Sequence, residues 1–411
     1  MRLPGAPALA PRQLGLDDSL ARHDTLHFIA PDGSYHRFAP AQWLPAPLHL
    51  APALWRLRFL RAKDRLSIAS ALHRLGRRTP QPEDQEMTMA ALLRGQGQSE
   101  EAIELFWNVV LLSALSESID RIAVPVARKV FVDGMMASRD AYVMYLPTEP
   151  LGPLLHRRAI GRLAEKGVAL HNGSRVTQLL CSDERVTGIV LADGSRRTFD
   201  FVVSAVPWRQ AYNLLKASLP AKYLGFVDVD TLESAPITAV HLAFERPITP
   251  LPHAVLPGRL SQWLFAGPAG DGFQTYQVVI SASHALAGMA HEELICRIQA
   301  ELAAAFPLAA KMRLLHARVV TQSHAIFSPL PGMEDHRPSQ TTGIAGLALA
   351  GDWTATGWPA TMESAVRSGY LAAECILRSI GRPKSILADD LPWDHLARWT
   401  LVRSARFPRW M

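Results

Sequence analysis

Residues 347–366 constrain the fold more than any other stretch of this chain. The apolar run Leu347-Ala348-Leu349-Ala350 leads into Gly351-Asp352-Trp353, then a loop to Ala360, then Thr361-Met362-Glu363-Ser364-Ala365-Val366, which continue in helical register to Ile376. The pattern reads as a short buried strand, a glycine turn, a loop and a helix. Such a unit aims backbone N–H groups and the positive end of a helix dipole into one crevice at the carboxyl end of a strand. An anionic or electron-rich ligand suits that crevice, and Gly351 lets the backbone approach it closely. Glu363 in the first turn stabilises the helix start with or without a ligand, so a strand and capped helix in an α/β core satisfy the same pattern.

The rest of the chain supplies the setting. Its 411 residues exceed what one hydrophobic core usually holds and fit two intertwined domains. A hydrophobic share of 48% against a charged share of 19% excludes a disordered chain. The longest apolar runs, 201–207 and 347–350, fall well short of the roughly 20 residues that span a bilayer. Cys181, Cys296 and Cys375 stand far apart, which suggests neither a zinc site nor a disulfide framework. A reducing cytoplasm is therefore expected, and the proline- and glycine-broken opening MRLPGAPALAPRQLG offers no apolar signal core. The net charge of +6 comes without basic residues interleaved with aromatics in a nucleic-acid module, so nucleic acid is set aside.

Residues 45–75 read as helix, beginning after Pro52, with Leu54, Trp55, Leu57, Phe59 and Leu60 set among Arg56, Arg58, Arg61, Lys63 and Arg65. A helix both basic and aromatic either rests on anionic lipid or is a domain helix with a solvated charged face. A second helix is capped by Ser99, has Glu100 and Glu101 in its first turn, and is nearly all apolar through Leu115. It should be buried or line an apolar cavity. Strands are expected at 168–170, 175–177, 186–191 and 199–206, with an Asp193-Gly194 hairpin turn. Residues 201–207 have the continuous apolar character of a parallel strand buried on both faces. Further strands at 237–244, 261–266 and 276–280, a surface turn at 267–272 and a helix at 291–306 complete a mixed α/β pattern. Asp133, Arg139 and Asp140 form a short polar cluster, read first as ion-paired at a domain seam. His241 reads as a core or seam histidine.

The wording AGDWTATGWPATMESAVRSG resembles the carboxyl-terminal flavin signature of the amine-oxidase and phytoene-desaturase superfamily, and most specifically that of the squalene-associated FAD-dependent desaturases, or hydroxysqualene dehydroxylases. Phe106-Trp107, Val132-Asp133-Gly134, Ser138-Arg139-Asp140, Ser261-Gln262-Trp263 and the 327–332 segment have counterparts there in the same order. The likeness runs over about 15–380.

The resemblance implies a two-domain FAD/NAD(P)-binding flavoprotein fold of mixed α/β type with interleaved domains. Residues 1–150 and 208–340 would be mainly substrate domain, the first of these helical and open to a membrane-facing role, 151–207 and 341–382 FAD-binding domain, and 383–411 a tail. It implies FAD as cofactor, held by Val176, Gly351, Asp352, Pro359, Ala360, Thr361 and Met362, with no metal and no assigned catalytic acid. Hydroxysqualene would be the substrate, squalene for hopanoid or related lipids the product, and the inner face of the cytoplasmic membrane and other squalene-pathway enzymes the surroundings. The cavity would be lined by the apolar helix at 106–115 and by Trp263, Phe265 and Trp358. Carotenoid desaturation, amine oxidation or another reaction of the flavin amine-oxidase family, and a flavin-free lipid- or partner-binding form are the rival readings. Family members open with a strand, a G-x-G-x-x-G turn and a helix for the FAD pyrophosphate. Nothing here matches, since Gly95-x-Gly97 is followed by Glu100 where the third glycine belongs. The expectation is a chain that aligns past that first βαβ unit and holds FAD weakly.

Overall fold

In the computed structural model, which describes residues 17–219 and 232–402, two distant stretches of chain build one seven-stranded sheet. The first gives β2 (Leu26–Ile29) and β3 (Tyr35–Phe38). The second gives β9 (Ser234–Phe244), β10 (His253–Val255), β11 (Trp263–Gly270), β12 (Phe273–Ser281) and β13 (Leu314–Phe327). The order is β13-β9-β12-β11-β10-β2-β3, and only β10 and β2 run parallel. Strand alternation sorts the faces. Val240, Leu242, Phe244, Tyr276, Val278 and Ile280 turn toward the His291–Ala305 helix, which meets them with Leu294, Ile298 and Leu302. Phe28, Val255 and Trp263 turn the other way, into a core filled by Ile68, Leu75, Phe106, Trp107 and Phe131 of the 51–131 helices. A short pair, β1 (Leu20–His23) with β4 (Met144–Pro147), closes that half.

The second half is built from 151–219 and 341–380. Strands β5 (Val176–Ser182), β6 (Arg185–Leu191) and β7 (Arg196–Thr198) form an antiparallel sheet. The expected turn is there, with Gly194 at φ +83° and the Asp193 carboxylate accepting from the Ser195 amide. Beside it, β8 (Val202–Ser204) and β14 (Leu347–Leu349) pair in parallel.

Several expectations are corrected. The 45–75 helix starts at Ala51, with Pro52 in its first turn, and breaks between Ala51–Arg56 and Ala62–Arg77. Leu54, Leu57 and Leu60 point into the core, so the apolar side expected to be immersible is mostly buried; Trp55, with Arg65 over its ring, and Leu48 and Leu66 stand out. Residues 168–170 form no strand: Val168 and Leu170 are exposed, and no described strand lies alongside to pair with them. The 199–206 strand shrinks to β8, which is parallel as expected but not covered on both faces, because Val203 is 41% exposed. Residues 267–270 extend β11 past a bulge, leaving Asp271-Gly272 as the turn. The longest strand, β13, was not anticipated. From 383 to 402 the chain is no loose tail: Trp393, Ala397 and Leu401 pack on Ala46, Val132 and Met136. The remainder of that segment, and the opening fifteen residues, lie outside the described residues. Among the described residues no helix is long and apolar enough to cross a membrane.

Candidate flavin site

The strand-to-helix unit forms where the sequence places it. Leu347, Ala348 and Leu349 are buried in β14, and the chain leaves the strand through Gly351 at φ +139°, a conformation that side chains rarely adopt. A Cβ there would lie 2.6 Å from Trp353 Cδ1, so the Trp353 ring leaves no room for one. Trp353 is itself buried, and its Nε1 donates to Val206 O at 3.2 Å, fastening the turn to the end of β8. The helix Met362–Ser379 begins at Thr361, whose hydroxyl accepts from the Ser364 amide. That geometry leaves the first-turn amides of Met362 and Glu363 without helical acceptors, as at any helix start.

Between turn and helix lies a polar truss that no spacing in the sequence announces. Arg337 has no exposed side-chain surface and pairs with the Glu334 carboxylate at 2.9 Å. Its Nη1 donates to Trp358 O at 2.8 Å, and its Nη2 to Asp352 O at 2.8 Å and Thr354 O at 2.7 Å. One buried guanidinium thereby holds three carbonyls of the loop, the five-donor fork that lysine lacks. Gln340 Nε2 adds a bond to Thr354 Oγ1, the Ser364 hydroxyl one to Thr356, and the Gly351 amide donates to Ser368 Oγ at 2.7 Å. Ser364 and Ser368 recur four residues apart on the buried helix face, a polar pair at core positions and the one sequence signal of this truss. Arg337, alone in a loop, gave none.

The predicted site residues are partly brought together. Gly351, Asp352, Pro359, Ala360, Thr361 and Met362 share the loop and helix start. Pro359 and Ala360 are buried and Met362 is exposed. Val176 stands apart, opening β5 opposite Leu191 in the three-stranded sheet. The Asp352 carboxyl is pushed above the usual carboxylate range by burial, against the pull of Arg337. Ser204 Oγ, at the end of β8, is buried without a hydrogen-bond partner. An orphaned hydroxyl, a turn with no space for a Cβ and a free helix start at the ends of two parallel strands fit the backbone of a dinucleotide such as FAD.

Other candidates disperse. Asp133 pairs with Lys129, Arg139 with Asp394 and Asp140 with Arg22, each at 3.5 Å, so they are three separate ion pairs rather than a cluster. His241 is neither core nor seam; it is exposed on β9 opposite Arg318. Trp263 stacks on Phe265 and, with Val109, Leu112 and Ser113, lines a cavity of about 260 Å³. Phe106 sits in the core instead, and Trp358 lies elsewhere, buried between Lys129 and Arg367 with its Nε1 bonded to Asp390. A larger cavity of about 590 Å³ has a mixed lining, with Arg209, Glu233, His284 and His324 beside Leu232 and Leu286. Among the described residues no group of acids, histidines or cysteines is placed to hold a metal ion.

The model of the family described as flavin containing amine oxidoreductase matches residues 8–377. A hydroxysqualene dehydroxylase of Sinorhizobium fredii is 28% identical over 65% of this chain and 61% of its own length, so the match spans about three fifths of that relative. A 15-cis-phytoene desaturase of Solanum lycopersicum is 24% identical over 92% of this chain and 68% of its own. Among solved structures, an oxidoreductase from Methanosarcina mazei superposes with a TM-score of 0.65 at 18% identity, covering 92% of this chain and 86% of that one.

Proposed function

This chain belongs to the flavin-containing amine oxidoreductase family, an FAD-dependent group of mixed α/β flavoproteins, and from that premise we propose that it is the greater part of a hydroxysqualene dehydroxylase. The observation that carries the reading is the trussed turn at 351–364, whose wording resembles that of the squalene-associated group and whose geometry suits a dinucleotide. Gly351 and Asp352 would lie along the ribitol and phosphates, and Pro359, Ala360, Thr361 and Met362 at the pyrimidine edge of the ring. Bound FAD, once reduced by an external electron donor, would supply hydride to the carbon from which an allylic hydroxyl has left as water after protonation. The chain's own part is to fix the loop through Arg337, to point the helix start at the electron-rich edge of the ring, and to keep water from the cationic carbon. Trp263, Phe265, Val109 and Leu112 offer an apolar wall for a segment of the isoprenoid. Its delivery from the cytoplasmic face of a membrane, beside other squalene-pathway enzymes, belongs to the same reading.

A carotenoid desaturase is the second reading, favoured by the longer match to the phytoene desaturase. It runs the redox chemistry in the opposite sense. Anaerobic turnover by a flavin-saturated, extended protein with reduced flavin and hydroxysqualene, set against oxidised flavin and phytoene, separates the two, and inactivity of that protein with both sinks both. A weak hold on FAD belongs to the same reading, which is supported by β8 pairing only with β14 among the described residues, with Val203 in the strand and Val206 just beyond it exposed. We propose that full retention needs a strand, glycine turn and helix added along the other edge of β8. In such an extended protein Gly351→Val should abolish flavin retention on gel filtration, since the new side chain strikes the Trp353 ring in a backbone conformation already closed to valine. Full occupancy in that variant would remove the assignment of this turn.

A further inference from the structure

Just past the apolar helix that ends at Leu115 stands Glu117, a carboxylate with no exposed surface. Its Oε1 accepts from the Ser118 amide at 2.9 Å and its Oε2 from the Ser328 hydroxyl at 2.8 Å. Among the described residues the only basic side chain within 4 Å of it is His284, whose Nε2 lies 3.8 Å from Oε2. Burying a carboxylate is costly unless it is paired, so the identity of its one cationic partner matters. The pair also stands between two cavities. Ser118 lines the smaller, with Trp263, Val109 and Leu112, whereas the His284 side chain, 42% exposed, lines the larger. Ser281, Ala282 and Ser283 carry the chain from one cavity to the other, and Ala282 sits at φ +48°, a left-handed conformation that only a few residues other than glycine adopt. Strain of this kind persists where the surrounding structure fixes it, and it gathers at functional sites.

The larger cavity adjoins the flavin turn. Leu232 lines it and packs in one cluster with Trp353 and Ala360, and Arg209 enters from the helix Trp208–Ser218, just past the Val206 carbonyl that holds the Trp353 ring. We propose that His284 is the acid that protonates the departing hydroxyl, with Glu117 as the positioning residue whose charge pairs with the protonated ring. The proposal rests on the dehydroxylase reading above. The imidazolium gives one proton to the hydroxyl oxygen, the C–O bond breaks with its electron pair leaving as water, and the allylic cation takes hydride from reduced flavin. His284 ends neutral and regains a proton from solvent. The other charged or titratable side chains of the cavity are engaged differently: Glu233 pairs with Arg121, and His324 Nδ1 is bonded to the Ser234 hydroxyl at 3.0 Å. Arg209 lies over the Trp208 ring and, as a guanidinium, gives up no proton. Of these side chains only His284 joins a buried carboxylate to an open face.

Two measurements test it. In the full chain, without flavin, detergent-solubilised hydroxysqualene should slow the carbethoxylation of His284 by diethyl pyrocarbonate, read by peptide mass, while exposed His241 reacts as before. In the flavin-saturated, extended protein, His284→Gln should lower kcat on hydroxysqualene by about 10²–10⁴-fold with KM little changed. Glu117→Gln should lower kcat by less, and Glu117→Asp should recover part of that loss. The dichloroacetate ester of hydroxysqualene leaves as an anion and needs no proton, so both Gln variants should turn it over at close to the native rate. Urea midpoints and flavin absorption check folding and loading, and His284→Gln, at a partly exposed position, carries the test if Glu117→Gln unfolds. Undiminished turnover of hydroxysqualene by folded His284→Gln, an equal loss on the ester, or carbethoxylation of His284 indifferent to substrate each overturns the proposal. A native protein inactive on hydroxysqualene overturns the dehydroxylase reading and the proposal with it. An active one indifferent to the loss of His284 leaves that reading standing, so the two failures are told apart.

Discussion

Trp107 and Val203 mark the two ways in which this chain treats apolar residues. Trp107 is fully buried, lies edge-on to Phe131 at a ring separation of 4.9 Å, and gives its Nε1 hydrogen to Gln98. Val203 is the middle residue of β8, in a parallel pair, where both faces are ordinarily covered, and yet it is 41% exposed. Its neighbours in that half repeat the pattern: Leu151, Leu155, Val168 and Leu170 are all at least 40% exposed. The seven-stranded half is therefore held by apolar burial on two faces of one sheet. The 351–364 loop is held by directional bonds converging on Arg337. The two halves should respond to opposite kinds of substitution.

The largest effect is expected where the polar truss is cut. Arg337→Met keeps much of the side-chain volume but strands the carbonyls of Asp352, Thr354 and Trp358 and the buried Glu334 carboxylate. Breaking a buried ion pair with several hydrogen bonds costs about 3–5 kcal/mol. Urea denaturation should show a loss of that order, and Arg337→Lys should recover only part of it, because an ammonium cannot fork to the same carbonyls. A loss below about 1 kcal/mol would mean that the loop is held by something other than this guanidinium.

An effect of comparable size, confined to the well-covered half and spread over pH, is expected from acid. Burial pulls the His253 imidazole down to about 4, with His27 and His23 beside it adding to the shift. Burial likewise pulls His49 down to about 4, against the opposing pull of Asp394. Both rings stay neutral in the fold, while in the unfolded chain they take up protons near pH 6.5. Their contribution is thus complete above pH 6.5 and lost progressively as pH falls toward 4, each by up to about 3 kcal/mol. Urea midpoints measured from pH 7.5 down to 4.5 should fall, and His253→Gln should flatten that slope. An unchanged slope in the variant would place the acid sensitivity elsewhere.

How far the sequence alone reached follows the same division. The β14-to-helix unit, the Ser99 cap, the Asp193-Gly194 turn and the β9, β11, β12 and 291–305 elements were legible because local pattern and local chemistry agree there. The basic helix at 45–75 was misread over 57–61 because its leucines satisfy helical spacing while the chain in fact turns to bury Leu57 and Leu60. β13 escaped notice since its face toward the helices is narrow and much of it is exposed. Strand character at 168–170 was read from its apolar residues, but a strand exists only beside a partner. Arg337 illustrates the hardest case, a long-range contact made by a residue whose own surroundings in sequence carry no period and no motif.

The smallest effect is also the sharpest test of the contrast between the halves. Valine to threonine replaces a methyl with a hydroxyl of nearly the same size, so its cost reports whether water reaches the site. At Val240, in the middle of β9 and fully buried under the His291–Ala305 helix, the hydroxyl has no water and should destabilise by about 1–3 kcal/mol. At Val203, with 41% of the residue exposed, the same change should move stability by less than about 0.5 kcal/mol. Urea midpoints of the two variants, measured side by side, give the comparison directly. Equal losses would mean that β8 is covered in solution, for instance by a neighbouring copy pairing along its open edge. In that event dilution should restore the difference, because a cover supplied by another molecule weakens with concentration while burial within the chain does not.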